Sequence, residues 1–261
     1  MSDIGRRGFL VRTGLTLSAA VLAGAQPRAF AEQATSSSRL KSWEDLRAQF
    51  PLSPQLIHLA AFFLASHPTP VREAIERHRA GLDADPIGYW FEHEEKQEAR
   101  VLQAAAEYLG GNPTDIALTD STTMGLGLLY GGLQLRSGQE ILTTTHDHYS
   151  TETALRLRAE RTGAMVRQIP LYRTLKSVSR DEIVESLRKG ISPTTRIVAV
   201  TWVHSSTGLK LPIHHMALAI QAINRSRDEQ DQIIFCVDGV HALGVEDFRV
   251  TELGCDFLVA G

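Results

Sequence analysis

The chain has 261 residues, enough to bury a sizeable core in one large domain or two. Its 43% apolar and 22% charged residues are those of an ordinary soluble globular protein. A formal net charge of −3 argues against nucleic acid as a partner, and the two cysteines, Cys236 and Cys255, lack metal-binding spacing and read as small core hydrophobes.

Residues 1–31 are a different kind of sequence. Arg6-Arg7-Gly8-Phe9-Leu10 precedes a modestly apolar Leu15–Ala25, and Ala29-Phe30-Ala31 supplies an A-x-A cleavage site. That is the three-part plan of an export signal, and Arg-Arg-x-Phe-Leu resembles the twin-arginine type, so the protein is expected to be exported to the periplasm. A polar residue before the arginines and a lysine after them are missing. The apolar part is too short for a stable membrane span. The segment carries four arginines and one aspartate, so its removal takes the net charge from −3 to −6.

Residues 32–55 read as a linker and an amino-terminal helix. Glu32–Arg39 is polar and serine-rich, and Ser42 can cap a short helix whose Trp43, Leu46 and Phe50 share a face. A large domain is expected over 56–261, opening on the apolar Leu56–Leu59. Thr69-Pro70 starts a second helix, with Val71, Ala74, Ile75 and His78 as its buried stripe and Gly81 as its end. A long helix follows over about Glu92–Leu109, with Ala99, Leu102, Ala105, Ala106 and Leu109 on one side and Gly110-Gly111 as its stop.

From Asp115 onward the pattern alternates. Strands are predicted at Ile116–Thr119, Glu140–Thr145, Met165–Ile169, Arg196–Trp202, Ile233–Val237 and Asp256–Ala260. Helices fill most of the gaps, over about 123–135, 150–162, 179–189 and 212–227, and Ser179 with Glu182 forms a capping box. Strand–helix repetition at this spacing implies an α/β fold of three layers, α/β/α, around a mostly parallel sheet.

Ligands of such sheets bind at the carboxyl ends of the strands. The residues there form a coherent set. Asp238 follows the apolar run Ile233–Val237, where a carboxylate needs a cationic partner or a raised pKa; an N-cap or turn role is the plainer alternative. Asp120-Ser121-Thr122-Thr123-Met124-Gly125 opens a helix, where hydroxyls and free N–H groups suit a phosphate as well as an ordinary cap. His146-Asp147-His148, His204-Ser205-Ser206-Thr207-Gly208 and His241 stand at three strand ends. Together they would suit a phosphorylated, cationic aromatic ring.

In this order, with Leu59-Ala60-Ala61 and Pro68-Thr69-Pro70-Val71 before it, the set resembles the class V aminotransferase family. These are fold-type-I pyridoxal-phosphate (PLP) enzymes that include cysteine desulfurases and isopenicillin-N-epimerase-like proteins. The resemblance covers about residue 56 to the end and implies the large domain of that fold. It also implies a PLP cofactor, an amino acid or amine substrate, and a homodimer at full length. Carried over by position, Thr122, Thr123 and the Met124 N–H would hold the phosphate. His148 would stack on the pyridine ring, and Asp238 would pair with its protonated nitrogen. Ser205 and His241 would reach the phenolic oxygen, where desulfurases commonly use Asn and Gln.

One departure is large. The family has a histidine-lysine segment directly after a strand like Asp256-Phe257-Leu258-Val259-Ala260-Gly261, and its lysine forms the Schiff base. Lys41, Lys96, Lys176, Lys189 and Lys210 do not match that place. The chain therefore reads as a fragment, without that lysine and a carboxyl-terminal domain, and inactive alone. At full length it would be a transferase, epimerase or lyase. Two other readings stand beside this one. A metal-dependent hydrolase would use His146 and His148 with Asp238 or His241; the other is a non-catalytic binding domain.

Overall fold

The computed structural model of the chain describes residues 42–61 and 63–261; the export signal and most of the linker read from the sequence lie outside them. The described part of a smaller unit is 42–55 and 66–70. Its helix α1 (Trp43–Ala48) opens on a reciprocal capping box: the Asp45 N–H donates to Ser42 Oγ and the Ser42 N–H to the Asp45 carboxylate, both at 3.1 Å. Thr69 donates its N–H and its hydroxyl to the Gln49 carbonyl, at 2.9 and 3.1 Å.

The larger unit holds a five-stranded sheet. Its strands are β1 (Glu140–Thr144), β2 (Met165–Ile169), β3 (Thr195–Thr201), β4 (Ile234–Asp238) and β5 (Phe257–Val259). All neighbours pair in parallel, in the order β2-β1-β3-β4-β5. Alternation along the strands builds two cores. Ile141, Ile197, Ala199 and Cys236 face one way, against α4 (Thr122–Gly132) and α5 (Tyr149–Thr162). Leu142, Val198, Val200, Phe235 and Val237 face the other, against α6 (Arg180–Gly190), α7 (Ile213–Asn224) and α8 (Val250–Leu253). Each fully buried aliphatic side chain contributes about 1.5–3 kcal/mol, so this double layer carries the stability of the sheet. The expected three-layer parallel architecture is what the chain adopts.

Four local expectations are corrected. Ile116–Thr119 is not a paired strand. Its backbone leaves the short turn Pro113–Asp115 extended, with Ile116 at φ −110° and ψ 131°, but no neighbour ladders with it among the described residues. Helix α2 (Thr69–Ala84) runs through Gly81, and no residue of it is buried, with Val71 and Ile75 more than 40% exposed. An apolar stripe states which face would be covered, not that a cover is there. Gly81 serves packing instead: a Cβ on it would fall 2.1 Å from Cε2 of Tyr89. Helix α3 (Pro86–Leu109) starts ahead of Glu92, with proline in the first turn and the Asp85 carboxylate accepting the Gly88 N–H at 3.0 Å. At the start of α6, Ser179 Oγ caps the Glu182 N–H at 3.1 Å, but the Glu182 carboxylate accepts the Arg173 N–H instead of closing the box.

Candidate active site

Strand order reverses at β1, since β2 lies on one side of it and β3 on the other. In open α/β sheets such a switch point leaves a crevice between carboxyl ends. Here Asp147 fills it. One carboxylate oxygen accepts the Thr144 N–H at 2.6 Å and the Thr143 hydroxyl at 2.7 Å, both from β1. The other accepts the Thr201 N–H of β3 at 2.6 Å. The aspartate thus pins the His146-Asp147-His148 loop over the sheet edge.

Thr201 pairs in register with Asp238 on β4. Asp238 is 2% exposed, and its carboxylate accepts the Val240 N–H at 3.1 Å. Burial pushes its pKa up; the Val240 N–H and the imidazoles of His148 and His241 pull it back, while Asp147 pushes it further. Two of the residues singled out in the sequence, His148 and His241, are therefore close enough to act on a third, Asp238. No lysine or arginine pairs with Asp238 among the described residues; within the chain only the His148 and His241 imidazoles act favourably on its charge, and a cationic ligand group would add to them.

The two helix starts lie alongside. Ser121 Oγ accepts the Met124 N–H at 3.2 Å, so that donor serves the cap of α4, and the Thr123 hydroxyl lies 3.3 Å from Ser150 Oγ in α5. His148 is the N-cap of α5, its Nδ1 accepting the Ser150 N–H at 3.3 Å. Strand β5 supports this corner. A Cβ on Gly125 would fall 2.8 Å from Val259 Cγ1, so glycine lets α4 lie directly on the strand, and one on Gly261 would begin 3.7 Å from Thr122 Oγ1.

Ser205 is less closely tied to the group. It is exposed on a turn after β3, held by the Gly208 N–H donating to the His204 carbonyl at 2.8 Å, with Gly208 at φ +68°. Lys210, the lysine nearest a strand end, is paired with Glu246 at 2.8 Å. His146 and His148 do not converge on a metal: His146 stacks between Tyr172, at 4.6 Å, and His204, at 5.3 Å, and no metal-holding cluster of three ligands exists among the described residues. His204 is fully buried, and burial lowers its pKa.

The sequence placed His146, Asp147 and His204 at strand ends but not the bonds of Asp147, the buried Tyr130 or the Tyr172–His146–His204 row. The aspartate had a signal, since Asp in a loop after a strand commonly takes backbone N–H groups of its own turn. The other two had none, because burial of a tyrosine or histidine is decided by the fold. What remains is an anion-suited helix start, a buried carboxylate and an exposed imidazole on one sheet edge. This suits a ligand with a phosphate at one end and a cationic aromatic ring at the other.

The Aminotransferase class-V family model matches residues 92–261. Isopenicillin N epimerase of Streptomyces clavuligerus is 26% identical over 215 residues, 82% of this chain and 52% of that protein. A probable cysteine desulfurase of Xylella fastidiosa (strain Temecula1) is 27% identical over 228 residues, 82% of this chain and 51% of the relative. A solved structure of a C-DES mutant, with glycine covalently linked to its PLP cofactor, superposes with a TM-score of 0.73 at 25% identity, covering 82% of this chain and 54% of that one. The chain spans about half the length of the curated relatives it matches. With the family model matching well over half of it, the chain belongs to the class-V aminotransferase family.

Proposed function

We propose that the chain is the cofactor-holding part of a pyridoxal-phosphate enzyme that acts at the α-carbon of an amino acid or amine. The observation that carries this is Asp238, a buried carboxylate at the end of β4 that no lysine or arginine pairs with among the described residues, with the His148 and His241 imidazoles close to it. Pyridoxal phosphate, when bound, supplies an electron sink for a group leaving that carbon. Asp238 would hold the proton on the ring nitrogen and gain the positive charge its burial calls for. Thr122 and Thr123, at the start of α4, would take the phosphate with their N–H groups and hydroxyls. Met124 contributes less than its position suggests, because its N–H already serves Ser121. His148, exposed at the start of α5, would lie flat against the ring, and His241 and Ser205 would donate toward the phenolic oxygen.

The family's relatives by name include an epimerase and desulfurases, so epimerisation and C–S cleavage are the two reactions to assay first. The metal-hydrolase reading has no observation in its favour, since His146 is committed to its stack. In a version of the protein extended to the relatives' length, Asp238→Ala should lower turnover of the amino substrate at least about a hundredfold. Near-normal turnover by Asp238→Ala would remove the assignment.

A further inference from the structure

Beneath Asp238 lies a pair of buried hydroxyls with no partner. Along β4, Ile234 and Cys236 face the layer under α4 and α5, and period-two alternation puts Asp238 on the same side. On β3, Ile197 and Ala199 face that layer too, followed by Thr201, the register partner of Asp238. Tyr130 of α4 packs its ring into this layer with Ile197, Ala199 and Cys236. Tyr130 is 0% and Thr201 3% exposed, and neither hydroxyl oxygen has a hydrogen-bond partner. Buried polar atoms are rarely left so, and two in one layer, one of them next in register to a charged group, call for a common acceptor.

Direction supports this. Helical side chains lean toward the helix amino terminus, and that end of α4 lies beside Gly261, at the carboxyl edge of the sheet. The Tyr130 hydroxyl is therefore aimed along the layer toward Thr201 and Asp238. Burial first, then the Cys236 thiol and the carboxylates of Asp147 and Asp238, push the phenol's pKa well up, so it stays a neutral donor.

We propose that Tyr130 and Thr201 are positioning residues for Asp238, their hydroxyls donating to its carboxylate from beneath through one internal water. This rests on Asp238 being the residue that meets the ligand. It adds what keeps that carboxylate ionised and aimed outward while buried. The groups acting on it are then Tyr130 from α4, Thr201 from β3, Asp147 and His148 from the loop after β1, and His241 from the loop after β4. Hydrogen bonds to the charged form favour it, so deleting a donor must weaken the acid.

The test needs no cofactor. The full chain is labelled with carbon-13 at aspartate carboxyls, the Asp238 signal is assigned by its loss in Asp238→Asn, and it is titrated by NMR. Tyr130→Phe should lower the Asp238 acid constant about tenfold, and Thr201→Val should lower it by a smaller factor that Thr201→Ser restores. A merely structural Tyr130 predicts otherwise: Tyr130→Phe would leave the acid constant unchanged and stabilise the fold by removing an orphaned hydroxyl. An acid constant unchanged or raised in a folded Tyr130→Phe chain overturns the proposal. If that variant does not fold, Thr201→Val, nearly isosteric, decides by the same reading. Because PLP is absent throughout, failure of the chain to bind PLP would count against the proposed function and leave this result standing.

Discussion

The Asp147 carboxylate accepts the Thr201 N–H at 2.6 Å across the gap between β1 and β3. The bond is not a ladder bond of the sheet. It joins a loop to a strand end at the point where strand order reverses, and the same carboxylate takes two more donors from β1. A site elsewhere open to ligand is closed by a side chain, and the ligand edge moves toward β4 and the start of α4.

Asp147→Asn should therefore cost more than a conservative change usually does. Both carboxylate oxygens accept from donors, and the amide nitrogen of asparagine, itself a donor, can accept on neither side. Hydrogen bonds to a charged group contribute about 1.5–3 kcal/mol each. We expect a loss of about 3 kcal/mol in urea unfolding, with Asp147→Ala no worse. A loss below about 0.5 kcal/mol would mean that the tie is not formed in solution.

Asp238 should set part of the pH dependence of stability. Burial raises its pKa above the unfolded value of about 3.9, so the folded chain holds this proton more tightly than the unfolded one. Its contribution is greatest below the unfolded pKa and is lost as pH rises through the folded pKa. Asp238→Asn removes the cost of the buried charge. The variant should be more stable than the natural chain at neutral pH, and its advantage should vanish toward pH 3.9. Thermal unfolding across that window checks this; an advantage that grows in acid contradicts it.

The strands were legible because apolar runs bounded by turn residues admit little else, and Met165–Ile169 falls where its spacing puts it. The strand ends were legible for the same reason, which is why Asp238, His148 and Thr122 could be picked out before any geometry. Ile116–Thr119 has a strand's pattern without a strand's partner among the described residues, and pattern carries no information about partners. The stripe of α2 fails likewise, since no residue of it is buried among the described residues. Gly81 looked like a stop, yet what it does depends on a ring eight positions on, in the next helix. Tyr130 sits in an unbroken apolar stretch, where nothing marks its hydroxyl as buried without a hydrogen-bond partner.

The central claim is that this chain holds pyridoxal phosphate through Asp238 and the start of α4. The most direct measurement is an equilibrium titration of the purified chain with PLP, followed by visible circular dichroism, beside Asp238→Ala and the double change Thr122→Val with Thr123→Val. The account predicts saturable binding by the natural chain. Either variant should bind about ten to a hundred times more weakly, the equivalent of losing one charge-assisted contact. Binding absent from the natural chain, or unchanged in Asp238→Ala, would contradict it.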